Sequence, residues 1–223
     1  MPPKLIIFDC DGVLVDSEMI ASRQLAAFLS ELGRPTTPAE CRATFTGMSI
    51  KSVGELVCRD WDMTLPNDFV EQLRLRDIDA FARELKPIQG VADILSELSS
   101  SQTAFCVASS GTPEKIRHSL TITGLLDFFN GNLFSASQVT HGKPAPDLFE
   151  FAAYEMGVPP EQSIVIEDAA PGVQGGVAAG MTVFGFTGGS HCTDETQEQL
   201  RSSGAAEVCT SMDEILSRII NIS

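Results

Sequence analysis

The fold is decided by the stretch LIIFDCDG at residues 5–12. Four consecutive apolar residues are typical of a strand buried on both faces of a sheet, and the acidic residues and glycine after them indicate a polar loop. Asp9 and Asp11 flank a single residue, so in extended backbone both carboxylates project to the same side. Taken alone, this loop is either a solvated turn or a pair of catalytic acids.

Three later runs repeat the pattern of the first strand. They lie at residues 103–108, 163–166 and 182–186. Each combines β-branched and apolar residues and is followed by a loop with Gly or Pro and then by a helical pattern. This alternation predicts an α/β protein with a Rossmann-like parallel-sheet core and helices on both faces.

The segment 16–85 departs from this alternation, because it has no strand run and several amphipathic helical patterns. Those after the first lie at residues 41–45, 50–61 and 67–81. We therefore predict a small all-helical cap at 16–85, inserted after the first strand of an α/β core formed by 1–15 and 86–223. Both connections would lie at the carboxyl end of that strand, where open α/β sheets bind ligands.

Composition limits the partners. The 223 residues are 43% hydrophobic and 20% charged, with a net charge of −15, which indicates a globular protein that repels nucleic acid and anionic membranes. No apolar run suits a secretion signal or a membrane span, which predicts a cytoplasmic location. Six scattered cysteines without a C-x-x-C pair predict reduced core thiols. The acidic field also repels phosphorylated metabolites, so a site for them needs a metal or a buried lysine.

Polar residues follow two of the later strands. Ser109, Ser110 and Gly111 end the second strand, where hydroxyls and amides either hold a phosphate or cap the next helix. Glu167 and Asp168 end the strand at 163–166, and carboxylates from two strand ends are the hard oxygen ligands that Mg²⁺ prefers.

The motif G-K-P-A-P-D places Lys143 in a loop stiffened by two prolines, where it is either a surface lysine or an anion ligand. G-x-S-x-G is absent, and Pro144 follows Lys143, which argues against a serine hydrolase and a P-loop protein. His191 lies beside Cys192 with no further ligand set in the sequence.

Together, D-x-D-G-V-L from Asp9, the strand-end Ser109, the Lys143 motif and Glu167-Asp168 resemble, in this order, the haloacid dehalogenase superfamily. The resemblance covers essentially the whole chain. It is greatest to the branch of β-phosphoglucomutase, phosphoglycolate phosphatase and sugar-phosphate phosphatases, which carry a helical cap after the first strand.

The resemblance implies a role for each of these residues. Asp9 is the expected nucleophile, Asp11 the general acid and base, and Ser109 and Lys143 the phosphate ligands, with Ser110 and Gly111 beside them. The expected cofactor is Mg²⁺, held by Asp9, the Asp11 carbonyl and Asp168, with Glu167 in or just beyond the first shell of ligands.

The expected substrate is a small phosphorylated sugar or sugar acid such as 6-phosphogluconate. A phosphosugar mutase of the same branch is the alternative, but its cap histidine and arginine align with Ala21 and Ile50. A catalytically idle binder of phosphorylated metabolites is a second alternative, although it has no need of Asp11. In the cap, Gly47, Met48 and Lys51 are the candidate substrate contacts. We expect a monomer or a small homo-oligomer.

Overall fold

The computed structural model describes residues 3–101 and 103–222. Their core is a six-stranded parallel sheet in the order β3-β2-β1-β4-β5-β6. The strands are β1 (Leu5–Phe8), β2 (Ala104–Ser109), β3 (Leu133–Ser135), β4 (Ser163–Glu167), β5 (Thr182–Phe186) and β6 (Glu207–Cys209). The parallel α/β sheet that the sequence predicts is confirmed, and β1 lies at its centre.

Ten α-helices accompany the sheet in the described part of the chain. They are α1 (Glu18–Glu31), α2 (Pro38–Phe45), α3 (Ile50–Asp60), α4 (Phe69–Glu84), α5 (Val91–Ser101), α6 (Pro113–Ile122), α7 (Asp147–Glu155), α8 (Ala170–Ala178), α9 (Asp194–Ser202) and α10 (Met212–Asn221). Short 3₁₀ helices lie at Leu126–Phe129, Ala136–Gln138 and Pro160–Gln162. None of the helices in these described ranges is both long and apolar enough to cross a membrane.

The core has two apolar layers, one on each face of the sheet. Ile6 and Phe8 of β1 pack in one layer with residues of α5, α6 and α10, whereas Leu5 and Ile7 pack in the other with residues of α7, α8 and α9. All four β1 side chains are fully buried, as expected for a central parallel strand. The continuous apolar run of β1 therefore reflects burial on both faces.

Helices α1 to α4 form the insertion after β1 and have an apolar cluster of their own. The rings of Phe28 and Phe69 stack there with their centroids 5.2 Å apart. Near the end of α4, however, Ala80 and Phe81 pack in the core cluster. We call α1 to α4 and the loops between them the cap; its division from the core at 16–85 stays a prediction.

The two connections between core and cap run side by side. The amide of Asp16 donates to the carbonyl of Lys86 at 3.0 Å, and the amide of Ile88 donates to the carbonyl of Leu14 at 3.0 Å. Val15 and Pro87 form an antiparallel bridge between them. The chain thus leaves and re-enters the core at one point.

The structure differs from the sequence-based expectations in detail. The edge strands β3 and β6 have three residues each, too few to show a periodic pattern, and were not predicted. Helix α2 begins at Pro38, ahead of the predicted range, because Thr37 and Glu40 form a reciprocal capping box. Helix α4 continues to Glu84. All six cysteines are free, but Cys58 is exposed and so is not a core thiol.

Candidate active site

Lys143 lies at the centre of one half of the site, where β1, β2 and β4 end. Its Nζ donates to Asp9 Oδ1 at 2.5 Å, to Glu167 Oε1 at 2.6 Å and to the carbonyl of Ala108 at 2.9 Å. These bonds use all three donors of the ammonium group. The Lys143 side chain is only 2% exposed, so it is a buried cation and not a surface lysine.

The carboxylates of Asp9, Glu167 and Asp168 crowd together beside this lysine. One oxygen from each lies within 4.8 Å of the others. Both oxygens of Glu167 are engaged, since the amide of Ala169 donates to Oε2 at 3.1 Å while Lys143 binds Oε1. Asp168 Oδ2, in contrast, is buried without a hydrogen-bond partner in the described part of the chain.

The electrostatics of this cluster favour a bound cation. Burial raises the pKa of Asp9 to about 7; Lys143 lowers this pKa, while Glu167 and Asp11 raise it. Burial also raises the pKa of Asp168 well above its usual value, and the neighbouring Asp9 adds to that effect. One lysine therefore does not balance the negative charge that these acids carry when ionised.

Asp11 belongs to the other half of the site and has different partners. Ser17 Oγ donates to its Oδ1 at 2.6 Å, and Lys115 Nζ donates to its Oδ2 at 2.9 Å. Burial disfavours the charged form, but Lys115 and Ser17 outweigh it and hold the pKa of Asp11 below its usual range. Asp11 is thus a second, half-buried carboxylate paired with its own lysine.

The loop after β2 links the two halves. Ser109 Oγ is buried and accepts a hydrogen bond from the Gly111 amide at 3.0 Å. Ser135 Oγ donates to the Gly111 carbonyl at 2.6 Å and so fixes the loop from the end of β3. Thr112 caps α6 by accepting from the Lys115 amide, as its position before Pro113 predicts.

The sequence profile of the haloacid dehalogenase-like hydrolases matches residues 6–186, a span that contains both halves of the site. The chain belongs to this family. The family resemblance that the four sequence motifs indicate is therefore confirmed.

Relatives of known activity are similar along most of this haloacid dehalogenase-like chain. It is 34% identical to 6-phosphogluconate phosphatase of Escherichia coli (strain K12), over 83% of either chain. Hexitol phosphatase A of the same strain is 30% identical over 81% of this chain and 82% of its own. These relatives confirm the expectation of an enzyme that hydrolyses phosphomonoesters.

A solved structure supports the fold independently. A conserved haloacid dehalogenase-like protein of unknown function from Agrobacterium tumefaciens str. C58 superposes with a TM-score of 0.83. It is 35% identical and covers 97% of both chains. The fold is therefore shared over 97% of both chains.

The cap residues proposed from the sequence do not all reach the site of this hydrolase. Gly47 does: Ser110 Oγ donates to its carbonyl at 3.2 Å, and a Cβ on Gly47 would lie 2.7 Å from the Ala169 Cβ. Met48 packs on the apolar cluster of the cap. Lys51 is 82% exposed and lies 3.9 Å from Glu55 on the same helix. Their roles toward a substrate stay predictions.

Lys115 was not predicted from the sequence, although its position in a helix gives one indication of its role. Lys115 lies in the first turn of α6, where the helix dipole disfavours a cation. A lysine at such a position therefore indicates a specific anionic partner. Glu18, the first residue of α1, was also overlooked; burial raises its pKa to about 8, and Asp11 and Asp168 add to the effect.

The sequence shows no further ligand set beside His191 and Cys192, and the structure places His191 against the carboxylate of Asp168. Its Nε2 lies 2.9 Å from Asp168 Oδ2, and its side chain is 4% exposed. The two residues are 23 positions apart in sequence, so only the fold reveals the contact.

Proposed function

We propose that this enzyme is a Mg²⁺-dependent phosphatase that hydrolyses a small phosphorylated sugar or sugar acid through an aspartyl-phosphate on Asp9. The observation that carries the proposal is the convergence of Asp9, Lys143 and Asp168 at the ends of β1 and β4, with Ser109 at the end of β2. This arrangement combines a nucleophilic carboxylate, a buried cation and hard oxygen ligands at one point.

The residues present suit a divalent metal. The buried Oδ2 of Asp168, which accepts no hydrogen bond within the described residues, and the neighbouring carboxylates form an all-oxygen donor set with excess negative charge. Asp9, Asp168 and the Asp11 carbonyl would hold Mg²⁺; Glu167, whose oxygens are both engaged, would act from just beyond them. When bound, Mg²⁺ reduces the repulsion between an attacking carboxylate and a phosphoryl group.

The chain's own residues supply the remaining chemistry. Asp9 Oδ1 is held by Lys143, which leaves Oδ2 free of hydrogen bonds within the described residues and available to attack phosphorus. Ser109, together with Lys143 once it gives up one of its three hydrogen bonds, binds the phosphoryl oxygens. Lys115 and Ser17 hold the pKa of Asp11 low before substrate binds, so Asp11 takes up a proton as the anionic phosphate arrives and then gives that proton to the departing alcohol. Asp11, now ionised, then accepts a proton from the water that hydrolyses the aspartyl-phosphate.

The cap supports a small substrate. The contacts of Gly47 with Ser110 and Ala169 bring the cap over the strand ends, which limits access for large substrates such as phosphoproteins. The relatives named for 6-phosphogluconate and for hexitol phosphates act on molecules of this size, so a sugar acid or polyol phosphate suits the site. A cytoplasmic location stays a prediction.

The test is phosphate release from a panel of sugar, sugar-acid, polyol and nucleotide phosphates, with and without Mg²⁺. We expect Mg²⁺-dependent release that Asp9→Asn abolishes and that the exposed-site control Asp93→Asn leaves unchanged. Conversion of glucose 1-phosphate to glucose 6-phosphate faster than hydrolysis would establish the mutase. Binding without turnover of any compound would establish the idle binder.

A further inference from the structure

The loop between β5 and α9, residues 187–193, carries His191 into the site; we call it the His191 loop. The imidazole is buried, and its Nε2 lies 2.9 Å from Asp168 Oδ2 and 3.3 Å from Cys192 Sγ. Asp168 Oδ2 has no aligned hydrogen-bond donor in the described ranges. A buried histidine therefore lies against the one carboxylate oxygen of the cluster that is buried without a hydrogen bond.

Two glycines provide the space for this ring. A Cβ on Gly12 would lie 2.9 Å from His191 Cε1 and 1.8 Å from Asp168 Oδ2. A Cβ on Gly189 would lie 2.7 Å from the same ring carbon. Side chains at these positions would displace the ring or the carboxylate, so the pair fits only because both residues are glycine.

The His191 loop is also fastened to the chain that follows the nucleophile. The Ser190 amide and Ser190 Oγ both donate to Asp16 Oδ1, at 3.1 and 2.8 Å. Asp16 is in turn bonded through its amide to Lys86, at the junction of core and cap. The ring position is thus set by the contacts of the residue immediately before His191.

We propose that His191 is a positioning residue for Asp168 and thereby sets the affinity of the site for its divalent cation. The inference rests on the proposed metal-dependent function. Carboxylates that bind metals are commonly oriented by an outer hydrogen-bond partner, and loss of that partner typically weakens metal binding about 10- to 100-fold. His191 Nε2, which lies 2.9 Å from Asp168 Oδ2, is the nitrogen placed to take this role once the ring and the carboxylate align.

The test measures metal binding directly, without substrate. Mn²⁺ binding is followed by the electron paramagnetic resonance signal of free Mn²⁺, and Mg²⁺ binding by competition. We expect His191→Leu to weaken binding about 10- to 100-fold. His191→Gln keeps a donor near the position of Nε2 and should recover most of the affinity. The matched control is His141→Leu, since His141 is an exposed histidine 3.1 Å from Asp147 and should leave binding unchanged.

A second variant covers the case in which His191→Leu does not fold. Gly189→Ala keeps the imidazole but displaces the ring, because the added Cβ would lie 2.7 Å from His191 Cε1. We expect this variant to bind Mn²⁺ more weakly while its circular dichroism spectrum shows the parental fold.

Three results would contradict the proposal in different ways. Parental affinity in His191→Leu, or equal loss in the Leu and Gln variants, overturns the positioning role while the proposed function stands. A directly coordinated imidazole nitrogen in the spin-echo spectrum of bound Mn²⁺ also overturns it, because His191 would then be a ligand. A parent protein that binds no divalent cation overturns the proposed metal dependence itself, and the inference with it.

Discussion

The two halves of the site each join a carboxylate that follows β1 to a lysine, but Lys143 is buried whereas Lys115 is only half-buried, and the surroundings of the two pairs differ. Asp9 and Lys143 lie among carboxylates that come from core strands. Asp11 and Lys115 face the cap, where Phe81 of α4 lies with its ring centroid 5.6 Å from Lys115 Nζ. The comparison suggests that the core alone organises the nucleophile, whereas the cap takes part in organising the acid and base.

Removal of the core lysine should have the largest effect. Lys143→Met leaves Asp9 and Glu167 buried without their shared cation, and it removes a ligand for the phosphoryl group. We expect kcat/KM to fall about 10²- to 10³-fold for every substrate, irrespective of the leaving group. Steady-state kinetics on sugar phosphates and on p-nitrophenyl phosphate would measure this. A smaller loss than in the corresponding Lys115 variant would contradict the difference between the halves.

Removal of the cap-facing lysine should cost less and depend on the leaving group. Lys115→Met frees Asp11 from one of its two partners without touching the Asp9 cluster. Loss of Lys115 raises the pKa of Asp11 but removes the contact that orients its carboxyl group toward the leaving group, so we expect kcat for sugar phosphates to fall about 10- to 100-fold with little change in KM. The loss should be smaller for p-nitrophenyl phosphate, whose leaving group needs less protonation, and Lys115→Arg should recover part of the rate. Equal losses for both substrates would show that Lys115 does not act through Asp11.

A substitution of Asp77 in the cap helix α4 tests the cap side of the site through its effect on the free energy of unfolding. Asp77 lies one turn before Phe81 on α4 and is 5% exposed. Burial raises the pKa of Asp77 to about 7; Asp11 adds to this rise, and Lys115 opposes it. In the unfolded chain Asp77 loses its proton near pH 3.8, whereas in the folded chain it keeps the proton up to about pH 7. The stability that the protonated Asp77 contributes to the folded state is therefore lost as the pH rises from 3.8 through about 7. Asp77→Asn should therefore raise the free energy of unfolding at pH 8, relative to pH 4, by about 1–3 kcal/mol.

Urea unfolding at the two pH values measures this difference. The control is Asp79→Asn, because Asp79 lies on the exposed face of the same helix in a pair with Arg83. The same pH-dependent gain in the control, or none in Asp77→Asn, would show that Asp77 carries no burial penalty.

The smallest effect is expected at Lys51. Its exposed side chain makes only a 3.9 Å ion pair with Glu55, so Lys51→Ala should change stability by less than about 0.5 kcal/mol and leave KM for sugar-acid phosphates unchanged. A raised KM confined to the sugar acids would instead support the sequence-based prediction that Lys51 binds an anionic group of the substrate.

The parallel-sheet pattern explains why the nucleophile half could be predicted from sequence. The carboxyl ends of parallel strands share one edge, so Asp9, Ser109 and Glu167 had to lie near one another once their strands were identified. Their loops also have recognisable residue patterns. The strands β3 and β6 were missed because three residues at a sheet edge carry too little periodic signal.

The partners of Asp11 and the contact of His191 depend on tertiary packing that local patterns record only weakly. Lys115 lies in a helix that begins with a common capping sequence, and its partner Asp11 is 104 positions away. His191 lies in a loop whose path is set by Ser190 bonding to the distant Asp16. The site residues in recognisable loop motifs, Lys143 among them, were predicted from the sequence, whereas Lys115 in an ordinary helix and His191 in a folded-back loop were not.

The paired connections at Asp16 and Lys86 also bear on chain entropy. Because the two ends of the insertion are hydrogen-bonded side by side, the cap is a closed loop with respect to the core. The entropic cost of closing a flexible loop rises only with the logarithm of its length, by about 0.6 kcal/mol for each doubling. The core should therefore tolerate caps of very different size, so long as each keeps its ends together at this ribbon.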